Sequence, residues 1–244
     1  MTRRRWIADE WSGDRALLLG DHADHLARVL RARIGQEFDI AAGGSIRRGR
    51  VISLASDRVE FELGEVILEG EPRHIAVALA IFKFDRFEWA IEKLTELGAT
   101  AVLPFAARRS DAHLITAAAK RIERWRRIAL AACEQSRRAS PPEIAGIAKF
   151  RDVLTLPASL RIALSETASP GVSLSSLLRA HAPGGRGDLA LALGPEGGWT
   201  EEELCALRES GWREASLGPN ILRAETAAIA AIAVASMESS PDEC

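Results

Sequence analysis

The chain has 244 residues, 47% of them hydrophobic, and 32 Lys and Arg against 34 Asp and Glu, a formal charge of −2. This length and apolar content suit one large or two smaller folded domains and exclude a mainly disordered chain. The near-neutral total excludes a uniformly basic nucleic-acid coat but not a local cationic surface, because residues 73–138 carry 13 basic against 7 acidic groups while residues 139–244 carry 8 against 14. The first seventy residues read as short strands: Glu37-Phe-Asp-Ile40, Arg50-Val-Ile-Ser-Leu54 and Arg58–Leu63 alternate polar and apolar residues, with Gly43-Gly44, Gly49 and Ser56-Asp57 as turns between them. One predicted helix, His22–Arg33, interrupts this β-rich module. It places Leu26, Val29 and Leu30 on one face and His25, Arg28 and Arg31 on or near another. Residues 69–72 read as a linker, which predicts domains over 1–70 and 73–244.

After Pro72 strands and helices alternate. His74–Ile81 is a continuous apolar run suited to a strand buried on both faces. A helix follows, with Asp85 as its expected N-cap, Phe87, Ile91, Leu94 and Leu97 at helical spacing, and Gly98 as its stop. Strands are predicted at Thr100–Phe105, Leu160–Leu164, Leu189–Leu193 and Glu214–Leu217, and helices at Ala117–Gln135 and Glu225–Met237. Thr200-Glu-Glu-Glu203 is a capping box that opens a further helix to Glu209. This alternation predicts an α/β fold with a largely parallel sheet. Cys133, Cys205 and Cys244 lie too far apart for a disulfide scaffold or a metal-ligand cluster, so no metal is expected. No apolar run approaches the ~20 residues that span a bilayer, and a cytoplasmic location fits.

In open α/β sheets ligands bind beyond the carboxyl ends of the strands. Three such turns here have unusual composition: Leu164-Ser-Glu-Thr167, Leu193-Gly-Pro-Glu-Gly-Gly-Trp-Thr200, and Ser216-Leu-Gly-Pro-Asn-Ile-Leu-Arg-Ala-Glu-Thr-Ala227. Gly194, Gly197 and Gly198 permit close backbone approach to a ligand, and Pro195 stiffens the loop. Neither G-x-x-x-x-G-K-[ST] nor G-x-G-x-x-G opens a helix, which disfavours a P-loop NTPase and an ordinary dinucleotide enzyme.

Gly194–Gly198 followed by Leu217–Ala227 resembles the cofactor signature of the SPOUT class of RNA methyltransferases. His25-Leu-Ala-Arg-Val-Leu-Arg31, Ile91-Glu-Lys-Leu-Thr-Glu-Leu-Gly98 and Ala131-Ala-Cys-Glu-Gln-Ser136 narrow the resemblance to the RsmE family of 16S ribosomal RNA uridine-N3 methyltransferases. The resemblance implies an N-terminal PUA-like β-barrel that helps bind RNA, a C-terminal α/β domain with a trefoil knot, and a homodimer. It also implies S-adenosylmethionine as cofactor, held by Leu164, Ser165, Glu166, Leu193, Gly194, Pro195, Gly197, Gly198, Ser216, Leu217, Gly218, Ile221, Leu222 and Thr226. No metal is needed for transfer from a sulfonium. Arg223 is the candidate for stabilising charge on a uridine imide, and Glu196 and Glu225 for accepting the N3 proton. Each has a structural reading too: Glu225 as a helix N-terminal acid, Glu196 as a loop brace, Arg223 as an ion-pair partner of either.

Candidate RNA contacts are Arg3, Arg4, Arg5, His25, Arg28, Arg31, Arg109, Gln135 and Arg138. The run Lys120–Arg127 reads as the solvated face of an amphipathic helix with Ile122, Trp125, Ile128 and Ala129 beneath. Arg108, Arg137 and Asn220 depart from the residues usual in the family and leave the details of RNA contact open. Methylation of another RNA position, non-catalytic RNA binding in ribosome assembly, and an unrelated nucleotide-binding α/β enzyme are the competing functions.

Overall fold

The computed structural model describes residues 5–68, 73–136, 138–168, 171–181 and 187–238; Arg3, Arg4, Arg137, Cys244 and the linker at 69–72 lie outside them. The chain forms two compact units, one of residues 1–71 with 133–140 and one of residues 72–132 with 141–244.

In the first unit, β1 (Arg5–Ile7), β2 (Glu10–Ser12), β3 (Arg15–Leu19), β4 (Glu37–Ala42), β5 (Ser45–Leu54) and β6 (Arg58–Leu68) make a six-stranded sheet in the order β1-β4-β5-β6-β3-β2. Only the β1–β4 pairing is parallel. Register shifts between β5 and β6 curl this sheet, and its concave side buries Leu18, Phe38, Ile40, Val51, Val59 and Phe61. Gly49 is obligatory there: a Cβ at that position would collide with Ile40 on β4.

The predicted helix is shorter than its pattern. α1 (Gly20–Asp24) continues as a π-helical turn over His25–Val29 and stops before Arg31, whose φ is 52°. The wider turn moves Val29 off the Leu26 face, so Leu26 is buried while Val29 is 64% exposed.

His22, on α1, stands between two carboxylates. Its Nδ1 is 3.1 Å from Asp9 Oδ1 and its Nε2 is 3.1 Å from Glu134 Oε1, in the segment 133–140 that belongs to this unit. Glu134, with Asp9, outweighs the desolvation that opposes protonation and raises the imidazole from 6.5 to about 9. A raised folded pKa contributes stability that is complete below the unfolded value and lost as pH rises through the folded one. The difference in urea midpoint between wild type and His22→Gln is therefore expected to be full below pH 6.5 and to vanish above about pH 9. A difference independent of pH would show the ring to be neutral.

The second unit is built on a parallel seven-stranded sheet. Its strands are β7 (Ile75–Ala80), β8 (Ala101–Ala106), β9 (Glu143–Ile144), β10 (Ala148–Lys149), β11 (Leu160–Leu164), β12 (Leu189–Leu193) and β13 (Arg213–Ala215), in the order β10-β8-β7-β12-β11-β13 with β9 also on β8. The buried runs alternate in size. Ile75, Val77 and Leu79 of β7, Leu160, Ile162 and Leu164 of β11, and Leu189, Leu191 and Leu193 of β12 face one core, while Ala78, Ala80, Ala163, Ala190 and Ala192 face the other.

The bulky face is covered by α2 (Phe84–Glu96), α6 (Leu174–His181) and α8 (Ala224–Met237), and by Trp125 of α4 (Ile122–Ser136), which packs on Phe87 at 4.6 Å. The alanine face leaves room for large rings. Phe105, Trp199 and Trp212 fill it, with Leu204 and Leu207 of α7 (Glu201–Glu209) and Val153 of α5 (Phe150–Leu154).

Several boundaries differ from the sequence pattern. Lys83, not Asp85, is the N-cap of α2, which puts Asp85 inside the first turn, where the helix dipole favours an acid. The predicted helix Ala117–Gln135 is divided into α3 (Ala112–Ala118), capped by the Asp111 side chain, a 3₁₀ turn, and α4. On these helices Arg121 and Arg124 both pair with Glu88 of α2, at 3.0 and 2.9 Å, consistent with a surface basic face over an apolar stripe.

Candidate active site

Strand register levels the sheet's carboxyl edge. Leu79, Leu193, Leu164 and Ala215 are paired in one row across β7, β12, β11 and β13, so the segments that follow these strands all emerge from the same edge. They enclose a cleft of about 580 Å³, a size suited to a small-molecule ligand. Its walls contain Leu164, Ser165, Glu166, Leu193, Gly194, Pro195, Glu196, Gly197, Gly198, Ser216, Leu217, Gly218, Ile221, Leu222 and Arg223. The three turns singled out from the sequence thus converge. Thr226 is exposed on α8 and does not line the cleft; Glu225 lies behind the lining, 4% exposed.

The loop after β12 is held from three directions. Gly198, at φ 69°, donates its N–H to Pro195 O at 2.8 Å and closes a turn. Trp199 Nε1 donates to Leu164 O at 2.8 Å, tying this loop to the end of β11, and the indole packs so closely on Gly194 that a Cβ there would lie 3.1 Å from the ring. Arg109 Nη1 donates to Gly197 O at 2.8 Å. The α7 capping box adds another tie: Glu203 accepts from its own N-cap Thr200 N–H and from Arg108 N–H, at 3.0 and 2.8 Å.

Charged side chains from several elements meet at this end of the unit. Arg86, in the first turn of α2, puts Nη1 2.6 Å from Glu196 Oε1 and Nε 3.7 Å from Glu225 Oε1. The second Glu225 oxygen, Oε2, is buried without a hydrogen-bond partner among the described residues. Arg223 is the exposed N-cap residue of α8. The alternative reading of Arg223 as an ion-pair partner of Glu196 or Glu225 finds no such pair among the described residues, where Arg86 contacts both acids. Arg223 is left at the cleft wall, able to meet negative charge on a ligand.

The RNA candidates are dispersed. In the first unit Arg5 is half-buried on β1, exposed His25 tilts against Trp6 at 5.7 Å, exposed Arg28 pairs with Asp24 at 3.1 Å, and Arg31 is exposed. Gln135 is exposed and Arg138 half-buried in the same unit, where Arg138 N–H returns to Cys133 O. Arg109, in the second unit, braces the Gly197 loop.

The sequence patterns miss Arg86 and, although they place Trp199 in a ligand-binding turn, give it no part in the site. Arg86 follows β7 directly, on the same carboxyl edge as the glycine-rich loops, and that position is a usable signal. For Trp199 the signal is weaker: a large ring beside Gly194 and an alanine face, visible only when strand register is known.

Residues 69–236 match the family model of the RNA methyltransferase domain. The ribosomal RNA small subunit methyltransferase E of Bacillus subtilis is 33% identical over 91% of this chain and 89% of that protein, and the one of Rickettsia conorii is 36% identical over 88% and 87%. Among solved structures, the ribosomal RNA small subunit methyltransferase E of Neisseria gonorrhoeae, bound to S-adenosyl methionine, superposes with a TM-score of 0.78 at 31% identity, covering 95% of this chain and 96% of that one.

Proposed function

Because the chain belongs to the ribosomal RNA small subunit methyltransferase E family, we propose that it transfers a methyl group from S-adenosylmethionine to N3 of a uridine in 16S ribosomal RNA. The observation that carries this reading is the cleft itself, where apolar and backbone-rich loop walls suited to a nucleoside-sized cofactor meet the Arg223 guanidinium, which has no ion pair among the described residues.

Leu193, Leu217 and Leu222 supply the apolar lining, the loop backbones supply hydrogen-bonding groups, and Gly218, at φ 126° with open space around it, leaves the wall clear. When bound there, S-adenosylmethionine supplies an electrophilic methyl group.

The remaining work falls on the chain's own residues. Uridine N3 carries a proton in neutral water and is a poor nucleophile until it leaves. Glu196, which lines the cleft and pairs with Arg86 at 2.6 Å, and Glu225, buried behind it, are the two candidate acceptors. Arg223 stabilises the negative charge that spreads onto the imide oxygens.

The same reading places the enzyme in the cytoplasm as a homodimer, a state supported by half-buried Ile229 and Ala233 and exposed Met237 on α8. It assigns RNA contact to the basic side chains named above on both units. Incubation with labelled cofactor and unmodified small subunits, followed by nucleoside digestion, is expected to give 3-methyluridine. Another methylated nucleoside would redirect the target, and RNA binding without methylation would leave a non-catalytic assembly factor.

A further inference from the structure

We propose that Arg86 is a positioning residue of this site: by meeting both Glu196 and Glu225 it ties the loop after β12 to α8 and leaves Arg223, which has no ion pair among the described residues, facing the cleft. The proposal rests on the methyl-transfer reading above.

Arg86 reaches from α2 to carboxylates on two other elements, Glu196 on the loop after β12 and Glu225 on α8. Without a cation between them, these acids would repel and the buried one would be an uncompensated charge, which is costly to bury. Separate nitrogens serve the two. The close contact is Nη1 to Glu196, while Nε stands 3.7 Å from Glu225 Oε1 and attracts that oxygen without saturating the carboxylate. Glu225 is thereby oriented with Oε1 toward Arg86 and Oε2 unpartnered.

Division of labour between the two arginines follows. The charged side chains at this end of the cleft are Arg86 from α2, Glu166 from the loop after β11, Glu196, Arg223 and, behind them, Glu225. Were Arg86 absent, Arg223, on the same cleft wall as Glu196, would be a cation these acids could recruit, and pairing with them would withdraw it from the substrate. A lysine could supply charge but not two nitrogens held in one plane, so the forked geometry matters as well as the sign.

The test uses the full-length protein with purified small subunits as substrate, comparing wild type, Arg86→Gln and Arg86→Lys. Arg86→Gln is expected to lower kcat by about 10²-fold, as misplacement of reacting groups does, with the cofactor Kd from titration calorimetry changed less than about threefold, well inside one decade of affinity. Arg86→Lys is expected to recover part of kcat. Folded Arg86→Gln with wild-type kcat overturns the proposal, as does parallel loss of kcat, cofactor affinity and melting temperature in both variants, which would mark a purely structural pair. If Arg86→Gln fails to fold, Arg86→Lys decides: a wild-type kcat overturns the positioning role, and a reduced kcat at unchanged Kd supports it. A wild-type protein that transfers no methyl group overturns the parent reading together with this one, whereas an active wild type isolates the result to Arg86.

Discussion

Arg223→Ala is expected to bind cofactor with near wild-type affinity and to lose about 10²- to 10³-fold in kcat, the usual penalty for removing one preorganised group that meets developing charge. The side chain is exposed at the N-cap of α8 and makes no side-chain cap hydrogen bond, so its removal disturbs little of the folded unit. Among the described residues its guanidinium pairs with no acid, and Arg86 meets Glu196 and Glu225 instead. In the proposed reaction, charge builds on the uridine imide only as the N3 proton leaves, so the loss falls on kcat more than on binding. Single-turnover methylation of small subunits, paired with calorimetric titration of the cofactor, separates these quantities. Wild-type turnover would remove Arg223 from the chemistry, and equal losses in affinity and rate would make it a cofactor-binding residue.

Trp199→Ala is expected to act through the fold. The indole is 9% exposed, stacks on Phe105 with centroids 5.9 Å apart and planes at 15°, and donates to Leu164 O. Truncation opens a cavity against Ala-lined strands whose small side chains cannot fill it, at a cost of about 3–5 kcal/mol. For a chain of this size that loss lowers the melting temperature by roughly 6–20 °C. The loops after β11 and β12 lose their mutual tie at the same time, so cofactor affinity falls with stability. A stability loss below about 1 kcal/mol in denaturant unfolding would mean that the alanine face closes over the gap.

The sequence makes the parallel sheet and the cofactor loops legible because both are local signals. Leu160–Leu164 and Leu189–Leu193 appear as strands with the predicted limits, and Thr200–Glu203 forms the capping box read from four residues. What is hidden depends on partners remote in the chain. A π-helical turn defeats the 3.6-residue period that would bury Val29 with Leu26. α5 and α6, of 5 and 8 residues, are too short to show a secure periodicity. Arg86 looks like one more surface charge on an amphipathic helix until Glu196, 110 positions away, is found beside it.

The grouping of Cys133–Ser140 with the N-terminal sheet means that the chain leaves that unit, returns to it for one short visit and departs again. The two units are therefore not exchangeable cassettes. A fragment cut at residue 70 would leave Glu134 behind and take from His22 the carboxylate that contributes most to its protonation, and a graft of the methyltransferase portion would carry with it a piece of its neighbour. Swaps between relatives have to move residues 1–71 and 133–140 as one inheritance, although 61 other residues separate them in the chain.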